Sequence, residues 1–525
     1  MTSAPQPTYR QAIGRRFAVS AGCPEAVDAA LDVMQQGGNV VDAAVAAAAA
    51  SCVAMPHMTG IGGELFALVC MKGRSPMAVN ATGASPRGAS IEAYRRLGHS
   101  FVPVAGGLSA QTPATPAGLE ALVSHWGSRT LGELLRPAIK LSEEGFAIRP
   151  RLASYIAARQ PELQSFEVWR RLYCPQGTPL QAGAAFRQTA LAKTLRLIGE
   201  EGATAFANGW VGEDIAAAVQ ADGGFMTKQD ILAVKAEVCE PLAFDYRGLT
   251  VLTQPPVSQG YIVLRALSLL AQRDPGPSDL WLAATDALRQ AFGERLAYLR
   301  DEEGSHRKAM AMIHSKPMAL QPFVPFTAHT GGDTTALAVM DAEGNAASVI
   351  LSVFNDFGSG LVAPRSGVLL NNRLSAFFLD ERYANALQPG RRSMHTLHSY
   401  IVRDAQGIRW AGGSPGADNQ PQANLHVLLH LLHEGASPAH AVSARRWAVN
   451  PGTDPRDNTA PAKPPYIECE PGVPAEKRKA LQDEGHELRT TEMPRIGSSK
   501  LVGRLVDGSL GAWADDRREG SVGAI

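Results

Sequence analysis

The sequence predicts a mixed α/β (α+β) protein, and three observations carry that expectation. The first hundred residues show helix and strand patterns in alternation. The middle third is dominated by apolar residues at helical spacing. From Thr334 onward, short alternating runs of strand type take over.

Taken in order, the elements follow from local chemistry. Pro24 at one end and Gly37-Gly38 at the other bracket a helix over Glu25–Gln36, with Ala26, Ala29, Leu31 and Val33 apolar. An alanine-rich helix runs from about Val41 to Ala54. The apolar stretch Ala43–Met55, interrupted only by Ser51, is too short to span a bilayer, so it reads as a buried, closely packed helix. The segment from Pro56 to Glu64 reads as a loop and Leu65–Met71 as a short buried strand. Helices are expected over Thr130–Glu144 and Ala190–Glu200. Gly223-Gly224 breaks the chain before another helix opens at Thr227-Lys228-Gln229-Asp230. Asp245–Val251 reads as a turn and a strand ended by Pro255-Pro256. Long helices follow over Tyr261–Gln272 and Asp279–Asp301. Ser315–Gly332, with Pro317, Pro322 and Pro325, is expected to be a mobile surface connector. Thr335–Met340 and Ala346–Ser352 then form a hairpin through Asp341–Asn345. Short strands are expected near Gly367–Leu370 and Tyr400–Arg403, a helix over about Pro421–Glu434, and a proline-rich loop over Pro451–Pro465.

Composition narrows the function. The 525 residues are 45% hydrophobic and 19% charged, as in ordinary globular proteins. Lys plus Arg equals Asp plus Glu, 50 against 50, which favours neither nucleic acid nor an anionic membrane surface and points to a small molecule or peptide as substrate. The first residues lack a basic flank with an apolar run, so no export signal is expected and a cytoplasmic location is inferred. Cys23, Cys52, Cys70, Cys174, Cys239 and Cys469 are scattered without a C-x-x-C pair and read as reduced thiols.

The chemistry centres on Gly331-Gly332-Asp333-Thr334-Thr335, where an irregular segment meets a strand. Scission between Asp333 and Thr334 would give one residue both a hydroxyl nucleophile and a free α-amine to act as base near neutral pH. A plain threonine pair opening a strand is the alternative. A metal-dependent hydrolase is a rival reading, because His426, His430 and His433 share one helical face. No H-E-x-x-H and no nearby carboxylate partner supports it, so neither metal nor cofactor is expected. An inactive binding homologue is a further rival.

The ordered motifs resemble the γ-glutamyltransferase family of self-cleaving N-terminal-nucleophile hydrolases. They run from Gly37-Gly38-Asn39-Val40-Val41-Asp42 through Gly62-Gly63 with Phe66, Thr112-Pro113-Ala114, Pro255-Pro256 and Asp333-Thr334-Thr335. They continue to Gly358-Ser359-Gly360, Gly367–Asn372 and Gly413-Ser414-Pro415-Gly416. The resemblance implies a four-layer αββα sandwich. It also implies a large subunit of residues 1–333 and a small subunit of 334–525, with association of processed units into a homo-oligomer left open. It places the nucleophile at Thr334, its hydroxyl partner at Ser352 and oxyanion donors at Gly416 and Ala417. Asn371-Asn372 are either turn residues or ligands. Thr82 stands where the family has an arginine for the substrate carboxylate, and Ala376 where it has an acidic residue for the α-amine. Phe354, Arg373 and His395-Thr396 replace polar residues lining the pocket. Arg373 with His395, Thr396 and Thr82 is therefore expected to bind a different, smaller carboxylate, in an oxamate-like acid amide. A solvent-facing arginine is the plain alternative at Arg373, and γ-glutamyl transfer or hydrolysis is the alternative activity.

Overall fold

The computed structural model describes residues 8–319, 334–452 and 464–525, with 296–298 described by backbone alone. The expected cleavage residue Asp333, the remainder of the connector from 320 and the loop residues 453–463 lie outside the described residues.

Two seven-stranded sheets form the centre. The first holds Ser521–Ala524, Phe17–Ala21, Thr335–Asp341, Ala346–Ser352, Glu64–Cys70, Met77–Ala81 and Glu237–Cys239, in that spatial order. The second holds Tyr9–Gly14, Leu510–Asp515, Lys500–Arg504, Gly407–Gly413, Ser399–Asp404, Leu249–Thr253 and Leu242–Tyr246. Neighbouring strands in both run antiparallel.

Side-chain alternation separates the layers. Leu337 and Val339, Val349 and Leu351, and Leu65, Ala67 and Val69 pack into a core with the helices Pro24–Gln35, Val40–Ala54, Thr115–Trp126 and Leu131–Glu144. Their neighbours Ala338, Met340, Ala346, Leu68 and Cys70 turn the other way, toward Leu252, Ile401, Ala411, Val502 and Ala512 of the second sheet. The outer face of that sheet, with Val251, Tyr400, Val402, Leu501 and Trp513, is covered by Tyr261–Arg273, Leu280–Tyr298 and Asn419–Leu432. The order is helix, sheet, sheet, helix, the expected αββα sandwich.

Most expected elements are present within a residue or two. Every residue of the alanine-rich helix Val40–Ala54 is buried. Asn39 caps it in a reciprocal box with Asp42, which satisfies otherwise orphaned backbone donors. The helix expected over Ala190–Glu200 reaches from Thr189 to Asn208, with a break at Gly202. The strand expected at Gly367–Leu370 is absent: that segment makes only isolated bridges, Val362 to Leu369 and Gly62 to Leu370. The cysteines are all free thiols, five buried and Cys239 half-buried. No helix among the described residues is long and apolar enough to cross a membrane.

Candidate active site

The parity that builds the core also builds the site. In the first sheet, Ala336, Ile350 and Phe66 face the gap between the sheets. Counting back or on by two puts Thr334, Ser352 and Glu64 on that same face, at one end of three neighbouring strands. Thr335 pairs with Leu351, Ser352 with Glu64 and Leu65 with Ala81, so the row extends to Thr82, the residue just past the fourth strand. Thr334, Ser352, Glu64 and Thr82 are all buried.

Hydrogen bonds run along this row. Thr334 Oγ1 donates to Ser352 Oγ at 3.2 Å, and Phe354 N–H donates to the same oxygen at 2.8 Å. Thr82 Oγ1 donates to Glu64 Oε1 at 2.9 Å. Arg373 Nε donates to Glu64 Oε2 at 2.8 Å. His395 Nε2 stands 2.9 Å from that oxygen, without the straight angle of a full hydrogen bond. Arg373 Nη1 reaches Thr396 Oγ1 at 3.4 Å, and its Cζ lies 4.0 Å from the centre of the Phe354 ring. Its Nη2 is buried without a hydrogen-bond partner among the described residues.

The charges in this cluster are well defined. Burial opposes ionisation of Glu64, but Arg373 and His395 beside it hold the carboxyl down at about 2. Burial first, then the Arg373 charge, pushes His395 down to about 4, so the ring is neutral at pH 7. Leu397 N–H donates to His395 Nδ1 at 3.1 Å, which leaves the ring proton on Nε2, facing Glu64.

The second sheet contributes the opposite wall. A Cβ built on Gly413 would lie 3.5 Å from the Ala336 Cβ, so the loop leaving that strand, Ser414–Asp418, starts across from the Thr334 end. Gly416 has φ 130° and Ala417 φ 49°, both in the left-handed region. Neither N–H donates to a group among the described residues. The loop is held from behind. Gln259 Nε2 donates to Ala417 O at 3.0 Å and to Thr396 O at 3.2 Å, and Arg295 Nη1 donates to Gln259 Oε1 at 3.0 Å and Asp418 Oδ1 at 2.5 Å. Ser498 N–H donates to Ser414 Oγ at 2.8 Å. Lys500, which burial pushes down to about 8, donates to Ser498 Oγ at 2.8 Å.

Of the groups gathered here, sequence reasoning named Thr334, Ser352, Phe354, Gly416 and Ala417, together with Thr82, Arg373, His395 and Thr396, and these last four do form one cluster. It passed over Glu64, the acceptor that joins them. The available signal was a glutamate heading a strand that is otherwise apolar and wholly buried, Glu64–Cys70. Arg373 is fully buried, which removes the solvent-facing alternative. Asn371 spends its amide on backbone: Nδ2 on Gly62 O and Gln111 O, and Oδ1 on the N–H of Arg373. Asn372 likewise bonds Asn355 N–H and Val104 O, so both serve the turn. The histidine stripe is dispersed among other partners. His426 packs on Trp281 and Trp447, and His433 Nδ1 lies 2.7 Å from Tyr246 Oη. His430 Nδ1 lies 2.6 Å from Glu434 Oε2, a carboxylate partner the sequence reading did not expect. No three His, Cys, Asp or Glu side chains among the described residues converge as metal ligands.

This layering, with a polar row at the mouth of the gap between the sheets, defines an N-terminal-nucleophile hydrolase, an enzyme that hydrolyses amides. The solved cephalosporin acylase from Bacillus halodurans superposes with a TM-score of 0.87 at 28% identity, over 100% of this chain and 99% of that one. The chain belongs to the gamma-glutamyltranspeptidase family, whose family model matches residues 26–525. It is 30% identical to the glutathione hydrolase-like YwrD proenzyme of Bacillus subtilis, over 94% of this chain and 95% of that one. It is 32% identical to the oxamate amidohydrolase proenzyme of Klebsiella pneumoniae, over 81% of this chain and 83% of that one.

Proposed function

We propose that this amidohydrolase cuts its own Asp333–Thr334 bond and that the freed Thr334 hydrolyses a small, carboxylate-bearing acid amide of the oxamate type. Residues 1–333 become a large subunit and 334–525 a small one. The observation that carries the reading is the buried hydrogen bond from Thr334 Oγ1 to Ser352 Oγ at 3.2 Å, facing the strand that leads into a loop whose Gly416 and Ala417 N–H groups donate to nothing among the described residues. Relatives with proenzyme in their names support the processing step.

In the reaction, Thr334 Oγ attacks the amide carbonyl while the α-amine of the same residue takes its proton. The N–H groups of Gly416 and Ala417 stabilise the tetrahedral oxyanion. Collapse breaks the C–N bond and releases ammonia, which takes up the proton. Water then attacks the threonyl ester by the same route and frees the acid. Arg373 receives the substrate carboxylate. Its Nη2 is a buried donor without a partner among the described residues, and such groups are costly unless something completes them. Thr82 and Ala376 carry no charge, so they offer no paired clamp for the head group of an amino acid. Glutathione-like substrates remain the second reading, favoured by the name of the YwrD relative.

Two measurements decide. Wild-type protein resolves on a denaturing gel into two unequal fragments that co-elute under native conditions, whereas Thr334→Ala stays one chain. Ammonia release is then followed over a panel of acid amides and γ-glutamyl compounds. An uncut, active wild type rejects the mechanism, and turnover confined to γ-glutamyl compounds rejects the substrate class.

A further inference from the structure

Glu64 is a charged group at the site with both oxygens committed inside the protein. Oε1 accepts from Thr82, and Oε2 faces both Arg373 Nε and His395 Nε2. It sits on a strand paired residue for residue with the Ser352 strand, so its place relative to Thr334 is set by sheet register rather than by a loop. A guanidinium carries five donors in a rigid fork. Glu64 occupies only the Nε side. At the fork end, among the described residues, Nη1 has a single long bond, 3.4 Å to Thr396 Oγ1, and Nη2 has none. The Phe354 ring closes one face of the fork.

We propose that Glu64 is a positioning residue for substrate specificity: it grips Arg373 from the side and thereby presents the Nη1–Nη2 end to the carboxylate of the substrate. The inference rests on the reading above that Arg373 receives that carboxylate. Three physical points support it. A buried arginine without an anion is strongly unfavourable, so some internal carboxylate must hold the guanidinium in place between turnovers. The end of the fork matches a carboxylate in bidentate geometry, which an oxamate-like acid offers and a neutral amide does not. Finally, Thr82 fills the second oxygen of Glu64, which stops the carboxylate from rotating to take both sides of the fork itself.

The test compares processed wild type with Glu64→Gln and with the milder Thr82→Val. Steady-state kinetics are measured on oxamate and on glycolamide, a neutral amide of similar size, and calorimetry follows the binding of oxalate. Glu64→Gln is expected to raise KM for oxamate at least about tenfold with a smaller change in kcat, and to lower the oxamate-to-glycolamide ratio of kcat/KM by a similar factor. Thr82→Val should shift the same ratio in the same direction by a few fold. If Glu64→Gln fails to fold or process, the Thr82→Val ratio is read alone, and no shift there overturns the inference. Equal losses on both substrates, or an unchanged KM, also overturn it. A wild type that hydrolyses oxamate with a KM indifferent to Glu64 rejects this inference and leaves the reaction standing. A wild type that turns over no acid amide but binds oxalate in a Glu64-dependent manner rejects the reaction and leaves Glu64 in its role. Failure to bind oxalate at all rejects both.

Discussion

At the scale of single residues, the site is a set of buried polar groups that satisfy one another in a line. Ser352 is its hinge. Its oxygen accepts from Thr334 and from the Phe354 N–H, so one atom fixes the threonine hydroxyl and the turn that brings Phe354 under Arg373. Removing it takes from two buried donors the acceptor they share, at about 1–3 kcal/mol each. Ser352→Ala is therefore expected to slow self-cleavage at least about tenfold and to lower stability by a few kcal/mol. Ser352→Thr, which keeps the oxygen, should recover most of the processing rate. A gel time course checks this, and wild-type processing in the alanine variant would remove Ser352 from the mechanism. Ala417 is a different kind of residue. It holds φ 49° without being glycine, a conformation that costs an L-residue about 1–2 kcal/mol. The strain is confined to the loop that carries the backbone donors.

At the scale of elements, the site depends on strands approaching more closely than side chains permit. A Cβ on Gly63 would stand 2.3 Å from Ser352 O, and one on Gly62 only 2.1 Å from Leu369 O. Both obstacles are backbone, which cannot swing aside. Gly63→Ala must therefore push the Ser352 strand away from the Glu64 strand and stretch the Thr334–Ser352 bond. Loss of processing is expected, with a stability cost of about 1–3 kcal/mol from overpacking. Normal cleavage of Gly63→Ala would show that the register tolerates the shift. These elements were legible in the sequence because their signals are local: Thr335–Asp341 and Ala346–Ser352 announce themselves by period, and the alanine helix by its unbroken run of small apolar residues. Gly367–Leu370 misled because its apolar run packs in a loop that makes only single bridges. The row of Thr334, Ser352, Glu64 and Thr82 was not legible in full. Its members come in pairs from two hairpins far apart in sequence, and only the pairing of Ala346–Ser352 with Glu64–Cys70 brings them together. Motif resemblance supplied Thr334 and Ser352, whereas Glu64 belonged to no motif and surfaced only with the ion pair to Arg373.

At the scale of the whole molecule, both sheets interleave strands from before and after residue 334. A cut there leaves neither part with a closed sheet of its own, so the two share one folding unit and one response to acid. That response has a definite sign. Burial pushes His395 and His398 down to about 4 and His426 well below the ordinary imidazole value, and it also lowers His430, His433 and His486. Between those lowered values and 6.5 the unfolded chain binds protons that the folded chain refuses, so stability rises with pH there and is lost as pH falls. Glu64 and Asp515, both held at about 2, add a second loss below the ordinary carboxylate range, as acid protonates them in the unfolded chain first. The raised carboxyls of Asp28 and Asp516 oppose this, but only near the carboxylate range. Each unit of separation is worth about 1.4 kcal/mol per group, so the fully buried His395 and His398 alone weigh on the order of several kcal/mol, comparable with the net stability of a domain. The urea midpoint of Thr334→Ala, chosen so that no cleavage intervenes, should hold steady from pH 8 to 7, fall through the histidine range and fall again below pH 4. A midpoint flat between pH 6.5 and 4.5 would mean that water or local opening reaches these rings, and that their surroundings, at the site and under the outer helices, are not as dry as the packing implies.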